Sequence, residues 1–174
     1  MSDKVVAVAV FHSHEHAYDV VRGLQDVGFD MQSLSIVGKG FYHDQQSVGD
    51  ISRVPRMLAW GRLGDLWGTM WGLVAGVSDF RFSDLGSVLV AGPLVLRILG
   101  AMNRSHVTGD ANALGSAYTE MGIPQNRITP YEFLVKMDKV LLVIHGAPEA
   151  VKLSQTHLHN HPMVVHSEPA TLVA

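Results

Sequence analysis

Apolar positions fall along this chain in two patterns, short unbroken runs and longer periodic stripes. Residues 4–11, "KVVAVAVF", form a Val-rich run with no polar alternation. Such a run predicts a strand covered on both faces. After it, Ala17, Val20, Val21, Leu24 and Val27 recur at helical spacing. Ser13 is placed to cap that helix, Glu15 falls in its first turn, and Gly28 is placed to end it. "LSIV" at 34–37, "VLLVI" at 140–144 and the short run at 163–165 predict three further strands. The expected strand bounds are near 4–11, 33–38, 139–145 and 162–166. Pro148 opens a helix with Ala150, Val151, Ser154 and Leu158 on one face.

Between the second and third of these strands the pattern changes. Gly64, Gly68, Gly72 and Gly76 recur every four residues, which on a helix places all four on one face. Glycine costs about 1 kcal/mol against alanine inside a helix, so four in register require a reason. Close backbone approach by a second helix supplies one. Trp60, Trp67, Trp71, Leu63, Val74 and Val77 lie largely off the glycine face. The helix is therefore apolar nearly all round and has to be buried in protein, in an oligomer or in lipid. A second apolar run, 85–102, is broken at Gly92-Pro93, with Pro93 opening a helix to about Ala101. The charged stretch "SDFRFSD", with Asp79, Arg81 and Asp84, reads as the connection between two apolar segments. Asp110 is placed to cap a helix carrying Ala111, Leu114, Ala117, Tyr118 and Met121, closed by Gly122 and Pro124. Thr129-Pro130-Tyr131-Glu132 fits a capping box for a short helix to about Met137.

The order strand, helix, strand, long insertion, strand, helix, strand is the split βαβ, ferredoxin-like α+β pattern with an all-helical, glycine-rich insertion. Residues 1–38 and 139–168 make the discontinuous sheet domain, 56–137 the insertion, and 169–174 a poorly ordered tail. The two longest apolar runs are the first and third strands, expected as parallel neighbours at the centre of the sheet.

With 174 residues the chain is long enough for a substantial core. Its net charge of −3 argues against nucleic acid as a partner. It has no cysteine, which excludes disulfides, thiolate nucleophiles and zinc–cysteine sites. The N-terminus lacks the pattern of a signal peptide, giving an expected cytoplasmic location, at the inner membrane if the apolar insertion meets lipid. Residues 66–77 are too few to span a bilayer, and 85–102 carry Pro93 and Arg97. A shallow hairpin in lipid or a hairpin buried between subunits both remain open.

Several stretches together resemble a known family. They are "SHEHA" (13–17), "GFDMQSLSIVGK" (28–39), "WGRLGDLWGTMWGLVAG" (60–76), "VAGPL" (90–94), "LGSAYTEMGIP" (114–124) and "KVLLVIHG" (139–146). In order and spacing the chain is similar to small bacterial general stress, or heat-induced stress, proteins, often labelled predicted membrane proteins. The resemblance implies an α+β domain with a glycine-rich apolar insertion and a role in stress, and it supplies no catalytic residues. The chain differs from that family in its density of histidines and in the charged "SDFRFSD".

Ten histidines are present. His12, His14 and His16 follow the first strand, and His157, His159 and His161 precede the fourth. With the fourth strand antiparallel beside the first, the two clusters are expected at one end of the sheet. His145, at the end of a parallel third strand, is expected to join them. Converging imidazoles suit Zn, Ni or Cu, with Glu15 a further oxygen ligand, so these seven histidines are the candidate metal ligands. Solvated loop histidines are the competing explanation. His43, His106 and His166 are isolated and read as ordinary surface or core residues. No nucleophile elbow, spaced triad or clustered carboxylate pair appears, so no enzyme activity is expected. The functional expectation is a non-enzymatic stress protein that self-associates as a homo-oligomer through Gly64, Gly68, Gly72, Gly76, Trp67 and Trp71. A metal-binding or metal-sensing module is the alternative.

Overall fold

A computed structural model describes residues 5–39, 77–82, 85–105, 113–159, 164–167 and 171–172. The glycine ladder, with Trp67 and Trp71, lies outside the described residues, as does the expected cap Asp110.

The elements are β1 (Val5–Phe11), α1 (His14–Asp26), β2 (Leu34–Lys39), β3 (Val77–Phe82), β4 (Gly86–Ala91), α2 (Leu94–Ser105), α3 (Ala113–Glu120), α4 (Gln125–Lys136), β5 (Val140–Gly146), α5 (Pro148–His159), β6 (Val164–Ser167) and β7 (Thr171–Leu172). All seven strands join one sheet in the order β3-β4-β2-β5-β1-β6, with β7 also on β1, and every pairing is antiparallel.

Local chemistry sets the helix ends. The Ser13 hydroxyl accepts the His16 amide at 3.2 Å and caps α1. Gly28 leaves it with φ +79°; its amide donates to the Gln25 carbonyl and the Phe29 amide to that of Leu24, while Leu24 and Phe29 enter the same core. Gly122, with φ +94°, closes α3 in the same way, through Gly122 to Thr119 and Ile123 to Tyr118.

The sheet is covered on both faces. Val5, Ala7, Ala9 and Phe11 of β1, with Val140, Leu142 and Ile144 of β5, pack under α1 and α5. The intervening Val6, Val8, Val10, Leu141 and Val143 pack on the other side against α2, α3 and α4. This three-layer arrangement is why β1 and β5 are apolar at successive positions rather than at alternate ones. Glu120 of α3 ties that element to α2, with Arg97 3.6 Å away and Arg104 also paired to it.

Several expectations are corrected. β1 and β5 are central neighbours, but antiparallel: Val5 faces Gly146 and Phe11 faces Val140. The physical reason is that β5 lies between β1 and β2 and runs opposite to both. The insertion is not all-helical. Its charged stretch is β3, and residues 86–91 form β4, which joins β2 from Ile36↔Ala91 to Lys39↔Val88. A short buried apolar run carries no period that separates strand from helix, and here sheet pairing decided. A three-residue connection followed by Gly86 at φ +75° is the turn chemistry that marks this hairpin. Buried residues of β4, α2, α3 and α4 share one core with those of β1 and β5. α4 begins after Pro124, five residues before the expected start, and carries Pro130 inside it. Within the expected tail, Thr171 and Leu172 pair with Val6 and Val5.

Candidate functional site

Three strand ends meet beside α1. Phe11, the last residue of β1, is in register with Val140 at the start of β5 and with Val164 at the start of β6, next to a register shift in β1. His12 leaves β1 at that corner and Lys139 enters β5 there. The two exposed side chains meet, Lys139 Nζ donating to His12 Nδ1 at 2.9 Å. This contact occupies the lone pair at Nδ1 and sets a cation beside the ring.

The other expected ligands are distributed as follows. His14 opens α1. His16 is half-buried, and its Nδ1 is buried with no hydrogen-bond partner among the described residues. His157 lies near the end of α5 with its ring over Gly23 of α1, Nε2 and Cε1 being 2.6 and 2.9 Å from where a Cβ would stand. Gly23 thus makes room for an imidazole between the two helices. Its place inside the α1 stripe carried no sign of that role. His159 closes α5, and His161 lies outside the described residues. His145 is corrected outright. It faces Val6, near the start of β1, at the opposite end of the sheet from His12. The expected convergence assumed a parallel third strand, and the antiparallel one reverses it. His166 faces Val10 in the β1–β6 register, while His43 and His106 lie outside the described residues. Glu15 is exposed in the first turn of α1. Among the described residues no group of three or more metal-ligating side chains comes together.

The helical layer holds one further polar group of note. Tyr118 is fully buried on α3, and its hydroxyl has no hydrogen-bond partner among the described residues. Burial pushes its pKa far above the ordinary tyrosine value, with smaller contributions from the charge on Glu132 and from Tyr131, so the phenol stays neutral. The sequence places Tyr118 on the inward face of its helix but says nothing about the hydroxyl. Among the described residues no helix is long and apolar enough to cross a membrane. Compared with protein-family models, with curated proteins and with solved structures, the chain matches none.

Proposed function

We propose that the chain is a non-enzymatic, stress-associated protein that works by self-association through its glycine-rich insertion. The observation that carries this reading is the spacing of Gly64, Gly68, Gly72 and Gly76 among tryptophans and aliphatic residues. A helix with that face is built for close approach by another helix, and its remaining apolar surface needs a cover. A symmetric oligomer is the commonest way to supply one. Exposed Leu96 and Leu99 on α2 and Phe133 on α4 add apolar surface in the layer that follows the ladder in sequence. The resemblance to stress proteins supplies the physiological context, and inner-membrane association is the other way of covering the same surface. The order β2-β5-β1-β6, with α1 and α5 on one face, supports reading the sheet as ferredoxin-like with β3 and β4 added at one edge.

Light scattering of untagged protein in detergent-free buffer tests the proposal. The expected result is an oligomer that Gly68→Leu with Gly72→Leu disrupts. A compact monomer would defeat it, and recovery only from membranes with detergent would transfer the insertion to lipid. The metal-binding alternative retains fewer converging ligands, with His145 at the far end of the sheet and Lys139 on His12.

A further inference from the structure

β1 and β2 point the same way, since β5 lies between them and runs opposite to both. β2 and β3 also point the same way, since β4 runs opposite to both. Two connections along the chain therefore share one form. β1 leads to β2 past β5, and β2 leads to β3 past β4, each stepping toward the β3 end of the sheet. Crossovers between parallel strands of one sheet are right-handed in about 98% of cases. Two crossovers of one hand, on strands of one direction and with steps of one direction, lie on the same face. The step from β5 to β6 reverses both directions, which returns it to that face, and α1 and α5 do pack on one core. The first crossover is made by α1. The second is made by residues 40–76, which places it on the face of α1.

The opposite face gives the same answer. There Val37 of β2, Phe80 of β3 and Val88 and Val90 of β4 are buried in one core with Leu94 and Ile98 of α2. On the α1 face the core extends to the same strands. Ala9, Leu142, Ile36 and Ala91 stand in one row of paired positions across β1, β5, β2 and β4, and all four are buried. Leu89 of β4 joins them. The connection also has the reach. Lys39 ends β2 level with Val88, and Val77 starts β3 level with Ala91, so the chain has to return along the strands. As the helix that its glycine spacing predicts, the stretch 60–76 runs about 25 Å. A strand of the length of β4 spans about 20 Å.

We infer that the glycine-ladder segment docks on the α1–α5 face of the sheet, over β2 and β4 and beside α1. The sheet then stands between the ladder and α2, so the helix after Pro93 is not the neighbour that Gly64, Gly68, Gly72 and Gly76 admit. Combined with the self-association proposed above, on which this last step rests, a second copy approaches from the α1–α5 side.

Distances within one chain test the docking. The chain has no cysteine, so introduced pairs carry the only spin labels. Arg22 is exposed on α1 and Leu96 on α2. Full-length protein labelled at Thr69→Cys with Arg22→Cys, or at Thr69→Cys with Leu96→Cys, is diluted in excess wild type and read by double electron–electron resonance. Neighbouring packed helices lie about 10 Å apart, so the distance from 69 to 22 is expected to be about 10 Å shorter than that from 69 to 96. Asp65→Cys, one helical turn earlier, repeats both measurements and should give the same order, so that one poorly folding variant does not decide the result. The reverse order, equal distances, or a distribution from 69 to 22 without a defined maximum would overturn the inference. Light scattering reads assembly separately. A monomer with the short distance from 69 to 22 would end the self-association proposal and keep the docking; an oligomer with the reverse order would do the opposite.

Discussion

Two glycines show how far a residue's role depends on what stands next to it. Gly92, between β4 and α2, has φ +93°, and a Cβ there would lie 2.2 Å from the Leu34 carbonyl oxygen. Gly86, at the head of β4, has φ +75° with nothing within 4 Å of an added Cβ. Gly86→Ala should therefore cost only the left-handed backbone penalty, about 1–2 kcal/mol. Gly92→Ala adds a collision with backbone that cannot turn aside, and should cost at least about 3 kcal/mol or abolish the fold. Urea unfolding of both variants checks the ranking; equal losses would mean that β4 moves away from β2 without penalty. The sequence marks Gly92 as a break and leaves Gly86 inside an apolar run. Both have positive φ, and only the packing of Gly92 on β2 separates their costs.

At the scale of elements, capping follows two routes. α1 is capped from within its own first turn by Ser13, which is why its start was legible. α2 receives help from across the sheet, where the buried Ser35 hydroxyl of β2 accepts the Leu94 amide at 3.1 Å. Ser35→Ala should remove that bond, leave an amide unsatisfied in the core and cost about 1–2 kcal/mol by chemical denaturation. A loss below a few tenths would mean that water or another group takes its place. The charged stretch that became β3 belongs to the same scale. Phe80 and Phe82 enter the core shared with α2, α3 and α4, a placement that acquires meaning once β4 is beside β3.

For the whole molecule, the two helical layers share one sheet, and successive residues of β1 and β5 serve alternate cores. Unfolding should accordingly be a single transition. Ile98, fully buried on α2, belongs to the core opposite α1. Ile98→Ala should lower stability by about 3 kcal/mol and shift the unfolding of both layers together. Hydrogen exchange that left α1 and β1 protected while α2–α4 opened would show two independent units instead. The proposed association belongs to this scale too, since the glycine ladder would act only through a second surface.

The sequence by itself determined what depends on neighbours within a turn or a strand: the two-sided burial of β1 and β5, the cap at Ser13, the exits at Gly28 and Gly122, and the break at Gly92-Pro93. Part of the histidine corner was legible as well, because β6 does start beside the end of β1. The tertiary structure decided the direction of β5, the addition of β3 and β4 to the sheet, the place of His145, and the meeting of Lys139 with His12. Each of these is a relation between segments far apart in the chain, such as Val6 with His145 or Ile36 with Ala91. A run of apolar residues states that a segment is buried; which strand it pairs with, and in which direction, is decided by backbone hydrogen bonds made with a distant partner.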